Sequence, residues 1–179
     1  MSPEIAVVVT LLTSALLAAL TAWLVRWPDA FTVLTVVLTG AAGGWVATTG
    51  PLALPSEHEK VLVFLLIGAL AIAGGGPVTV GVFKLVDGPP SGGEGVAKAG
   101  EILRGGAWIG GLERAAIVVA LLAGWPEGVA LALALKGLGR YPELRNQENP
   151  GTAERFLIGT FTSVLWAVAC AGIALLWAT

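Results

Sequence analysis

Six apolar stretches run through this chain, at residues 5–25, 31–49, 61–86, 107–124, 126–141 and 156–177. Between them fall clusters that end helices: Trp27-Pro28-Asp29, Gly50-Pro51 with Pro55, Asp87-Gly88-Pro89-Pro90, Trp125-Pro126 and Asn149-Pro150-Gly151. A helix needs about 20 apolar residues to cross a bilayer. The pattern therefore predicts an all-α fold, a polytopic integral membrane helical bundle of about six transmembrane segments in one domain, residues 1–179. The fifth segment is short and could be a re-entrant half-helix. The third contains Gly74-Gly75-Gly76-Pro77, which predicts a kinked or broken helix. Such a break either packs against a neighbour or lines a cavity with freed backbone groups.

Composition supports the same class. Hydrophobic residues make up 56% of the chain and charged residues 12%, about half of what a soluble domain carries. A net charge of −2 argues against nucleic acid as a partner. The first apolar run follows Glu4 rather than a basic segment, so it reads as a retained helix and not a signal peptide. Cys170 is the only cysteine and reads as a small packed residue.

The distribution of basic residues sets an orientation. With six spans, nine of the ten Lys and Arg residues fall toward one face and only Lys60 toward the other. Positive charge concentrates on the cytoplasmic side. Both termini are therefore expected outside the cytoplasm of the cell inner membrane, with cytoplasmic loops at 87–106 and 142–154. In the first loop Glu94, Lys98, Glu101 and Arg104 have the spacing of a short amphipathic surface helix. Trp23, Trp27, Trp125 and Trp177 sit near span ends, as interfacial anchors do, while Trp45, Trp108 and Trp166 are less clearly placed. Gly40-x-x-x-Gly44 and Gly106-x-x-x-Gly110 have the spacing of close helix-packing faces and permit a homo-oligomer.

Charges inside a bilayer are costly and mark sites by default. Glu113 lies 11 residues before Gly124, and Lys136 lies 11 after Trp125. In an antiparallel hairpin both are roughly 16 Å from the turn, at one depth, where they can pair. Arg114 points about 100° away, toward another helix. Arg140 follows Lys136 by one turn. With Glu154, Thr160 and Ser163 these residues make a polar spine in the inner half of the bundle. The spine either fixes helix register or, with three cations against one deep carboxylate, receives an anionic ligand such as phosphate or a lipid head group. Glu113 could also carry a proton.

The ordered elements Gly111-Leu112-Glu113-Arg114, Lys136-Gly137-Leu138-Gly139-Arg140 and Glu154-Arg155-Phe156-Leu157-Ile158-Gly159-Thr160 resemble the C-terminal membrane region of an uncharacterised bacterial integral-membrane protein family. The resemblance begins near Gly106. It implies a shared membrane module and no particular activity.

Glu57-His58-Glu59 holds the only histidine, in a short outer loop where such residues are usually solvated. No zinc-protease, Cys-x-x-Cys, phosphate-loop or nucleophile-elbow pattern occurs, so no metal or cofactor is expected. Three functions follow in order. The first is transport or handling of an anionic solute or lipid, and the second an accessory or scaffold subunit with a membrane-complex partner. The third is an enzyme on lipid phosphates using Arg140, Glu143, Glu154 and Arg155, disfavoured for want of a paired-Asp metal motif. A water-accessible cavity joining Gly74–Pro77 to the Glu113/Lys136 level would favour the first; dry packing would count against it.

Overall fold

The computed structural model describes residues 2–25, 28–49, 56–87, 95–145 and 152–178. Six α-helices account for almost all of them: α1 (Pro3–Leu24), α2 (Pro28–Thr49), α3 (Glu57–Asp87), α4 (Gly95–Leu122), α5 (Glu127–Arg145) and α6 (Thr152–Ala178). No strand occurs among the described residues. The helices α1, α2, α3 and α6 are long and apolar enough to cross a membrane. Large apolar side chains such as Leu17, Val33, Leu65, Leu112 and Leu165 stand on the outer surface. That is the inverse of a water-soluble exterior and suits a hydrocarbon solvent.

Local chemistry explains the helix starts. Ser2 caps α1, its Oγ accepting from the Ile5 N–H at 3.3 Å, with Pro3 in the first turn, where its missing N–H costs nothing. Ser56 caps α3 in the same way, accepting from the Glu59 N–H. Glu57 is thereby the first residue of a helix, paired with Lys60, and the Glu57-His58-Glu59 cluster is not in a loop.

The helix α1 buries Ile5, Val8, Leu12, Ala15, Ala19 and Ala22, a stripe of three- and four-residue steps whose alanines let α2 approach closely. Its neighbour α2 buries Thr35, Thr39, Ala42 and Val46. The two threonine hydroxyls donate to the carbonyls of Phe31 and Thr35, which leaves no polar demand on the core. At the centre lies α3, packed against α1, α2, α4 and α6, while α5 lies at the edge against α4.

Several expectations are corrected. The helix α3 is continuous through Gly74–Pro77 rather than broken. The helix α4 begins at Gly95, so the segment expected as a separate surface helix in a loop is the first part of a longer helix. The side chains of Lys98, Glu101 and Arg104, and all of Glu94, lie outside the described residues. The helix α5 likewise continues to Arg145, beyond the expected end at Tyr141. Trp177 is a core residue, 2% exposed, rather than an interfacial anchor, and Trp166, which the sequence did not place clearly, is also in the core at 7%. Gly40 and Gly44 face open space, because α2 packs through its threonine face, so they close no helix contact within the chain.

Candidate functional site

The site is built on two local features, the α4–α5 turn and the glycine-proline segment of α3. The turn is a Schellman ending. Gly124, at φ +69°, takes the left-handed conformation. The Trp125 N–H then reaches the Ala120 carbonyl and the Gly124 N–H the Leu121 carbonyl. Just beyond it, a Cβ at Gly128 would lie 2.9 Å from the Ala120 methyl and 2.7 Å from the Trp125 ring. Only glycine permits that approach, and it sets the register of the two helices. Eight residues further on, Lys136 Nζ lies 2.5 Å from Glu113 Oε2. The two side chains are 19% and 17% exposed, a half-sheltered pair at the edge of the bundle. The Lys136 ammonium also lies 6.0 Å from the centre of the Phe156 ring on α6.

Arg114 leaves this pair and enters the core, where it is 5% exposed. Its Nη1 donates to Ser163 Oγ on α6 at 3.2 Å, and its Nη2 donates to the Ile72 carbonyl on α3 at 2.7 Å. Its Nε is buried without a hydrogen-bond partner among the described residues. Two glycines make room for the guanidinium. A Cβ at Gly75 would collide with the Arg114 Cδ and Nε, and one at Gly110 would lie 3.1 Å from Nη1.

The same arrangement recurs at Gly74 and Gly76, on either side of Gly75 in α3. A Cβ at Gly74 would lie 2.6 Å from Trp166 Cζ2, and one at Gly76 would collide with the Trp23 ring. Each of the three intruding side chains also donates to an α3 carbonyl. Trp166 Nε1 bonds Leu70 at 3.3 Å, Arg114 Nη2 bonds Ile72, and Trp23 Nε1 bonds Ala73 at 3.0 Å. Ala73 is the acceptor that Pro77, four residues on, leaves without a helical N–H. The segment therefore forms a hub: three glycine notches and three carbonyls hold one side chain each from α6, α4 and α1. A cavity of about 110 Å³ remains between Trp23, Asp29, Thr32, Gly76 and Pro77, room for a few waters.

The polar spine thus divides in two. Glu113 and Lys136 pair at the α4–α5 edge, whereas Arg114 and Ser163 belong to the core hub. Arg140 lies half-buried one turn beyond Lys136, and Glu154 is exposed. Thr160 Oγ1 is buried without a partner among the described residues. Sequence reasoning read Trp23 as an interfacial anchor and Gly110 as part of a packing face, left Trp166 unplaced, and missed the carbonyls of Leu70, Ile72 and Ala73. The available signal was Pro77, whose position alone implies that the Ala73 carbonyl needs a donor from elsewhere.

Comparison with protein-family models, with curated proteins and with solved structures gives no match for this chain.

Proposed function

We propose that this protein is a multi-pass scaffold or assembly subunit of a bacterial inner-membrane complex, not a conduit for a polar solute. The observation that carries this reading is the filled hub. At Gly74–Gly76, where a transporter would need an opened backbone lining an aqueous path, Trp166, Arg114 and Trp23 occupy the space. Arg114, the most deeply placed cation among the described residues, spends two donor groups on Ser163 and Ile72, and lies too far inside to meet a solute without repacking. The charges then act as register devices, a use of buried polar groups that gives specificity more than stability. Bacterial membership follows the resemblance of the segment after Gly106, and the inner-membrane orientation follows the basic-residue count.

The test is purification from native membranes in mild detergent, alongside flux measurements in proteoliposomes. A stoichiometric membrane partner with no anion flux above empty vesicles is the expected result. Saturable anion flux that R114M abolishes without loss of thermal stability would overturn the reading.

A further inference from the structure

Contacts between the helices place them on one scale along the bundle axis. A Cβ at Gly111 on α4 would lie 3.6 Å from Ile72 on α3, and Trp166 on α6 lies over Gly74. Both helices run antiparallel to α3. For α6 this follows from Gly159 lying against Phe83, and for α4 from a connection of seven residues, 88–94, too short to return along a 31-residue helix. Trp108, three residues before Gly111, and Leu165, one before Trp166, therefore share the level of Gly75. Tyr141 on α5 joins them: it follows Lys136 by five residues, as Trp108 precedes Glu113, the partner of Lys136, by five.

At that level the two sides of the bundle differ in chemistry. On the α4–α5 side Trp108 and Tyr141 are 80% and 58% exposed, and beyond Trp108 the sequence of α4 turns polar, with Arg104, Glu101 and Lys98. Aromatic rings followed by charges mark a membrane–water boundary. On the other side Leu165 is 65% exposed, and Phe161 and Leu157 continue the exposed apolar surface of α6 for eight more residues, about 12 Å. The helix α2 agrees with α6. A Cβ at Gly81 would meet Thr32 at 3.4 Å, which puts the exposed Val33, Val36 and Val37 beyond the level of Gly75 as well.

Tilting the whole bundle does not remove this step. At the opposite end α4 and α6 finish almost flush: counted from the same contacts, Gly124 falls level with Glu59 of α3 and Ala178 with Leu62, about 5 Å apart. A tilt that levelled one end would offset the other. The bilayer deforms instead, as it does around any hydrophobic surface shorter than its core. Deformation also shelters the chain less where it is most polar. Lys136 lies five residues, about 8 Å, from the Trp108–Tyr141 level, within reach of a snorkelling lysine.

We infer that this protein thins the membrane leaflet beside α4 and α5, where phospholipid head groups meet Trp108 and Tyr141 about 12 Å nearer the bilayer centre than they stand beside α6. The inference is independent of the scaffold reading, since it concerns lipid and not a protein partner.

The experiment is a spin-label depth measurement on the full chain in vesicles of phosphatidylcholine and phosphatidylglycerol. Single cysteines I109C, G139C, F161C and L165C are labelled in a C170A background. The first, third and fourth positions are exposed, and a Cβ at Gly139 meets nothing within 4 Å. Relative collision rates with oxygen and with a water-soluble nickel chelate then give each depth. I109C and G139C should report head-group depth from two different helices. L165C, level with Trp108, should lie about 12 Å deeper in hydrocarbon, and F161C should also report hydrocarbon. Equal depths at I109C and L165C would overturn the proposal, whether both lie in hydrocarbon or both among head groups. So would G139C at the depth of L165C.

Discussion

Trp23 donates its indole N–H to the carbonyl of Ala73, the backbone acceptor that Pro77 leaves without a helical donor. A proline inside a helix removes one hydrogen bond. Here a side chain from another helix replaces it, and the helix stays continuous.

This relationship predicts a coupling between positions 23 and 77. W23F removes the donor together with the benzo-ring atoms that lie against Gly76, and the lost hydrogen bond accounts for about 1 kcal/mol of its cost. In a P77A background, residue 77 supplies an N–H to Ala73 and the same change should cost less. A double-mutant cycle, read by thermal or denaturant unfolding in detergent, measures the difference. Strict additivity would refute the replacement.

Single alanine substitutions should separate filled from open glycines. G74A and G76A force a methyl into the rings of Trp166 and Trp23, and each should cost about 1–3 kcal/mol by overpacking. G40A and G44A meet nothing and should lie within about 0.5 kcal/mol of wild type. Unfolding midpoints of the four variants decide the matter.

Loss of Ser163 should be felt through Arg114. S163A takes the acceptor from Nη1 in a side chain whose Nε already lacks one. A buried charged donor left unpaired costs about 1–3 kcal/mol. S163T keeps the hydroxyl and should recover part of the loss, whereas an unfolding midpoint for S163T at or below that of S163A would count against the hydrogen-bonding role.

Lys136 and Lys60 should differ sharply. K136A strands the sheltered Glu113 carboxylate and should cost about 2 kcal/mol, less than the 3–5 kcal/mol of a fully buried pair. The Lys60–Glu57 pair is 41% and 83% exposed, so K60A should cost well under about 1 kcal/mol. E113L combined with K136L should recover much of the K136A loss. Equal unfolding midpoints for K136A and K60A would remove the sheltered-pair account.

How far the sequence reaches can be seen in three places. The Glu113–Lys136 contact was legible because a short hairpin equates depth with residue count, and Gly124 marks the turn. The partners of Arg114 were not, since one is a backbone carbonyl of α3 and the other a serine 49 residues away, and neither carries a charge signature. Gly74–Pro77 read as a kink or a break because glycine and proline rules are local, whereas the side chains that fill the segment and keep α3 continuous arrive from α1, α4 and α6. Gly40-x-x-x-Gly44 read as a packing face for the same reason: spacing shows that a close approach is permitted, and only the threonine face of α2 reveals that the chain packs elsewhere.

The hub also imposes an order on biogenesis. Its acceptors lie on α3, while its donors come from α1, α4 and α6, so a nascent chain can seat Trp23 early but can complete the set only after the last helix has been made. Until then Arg114 lacks its Ser163 acceptor, and the Gly74 notch is empty. A guanidinium donor without its acceptor is costly for as long as it waits. The packing of α4 is therefore completed only when α6 is delivered. A pause in synthesis between α4 and α6 would be the step most exposed to quality-control proteolysis.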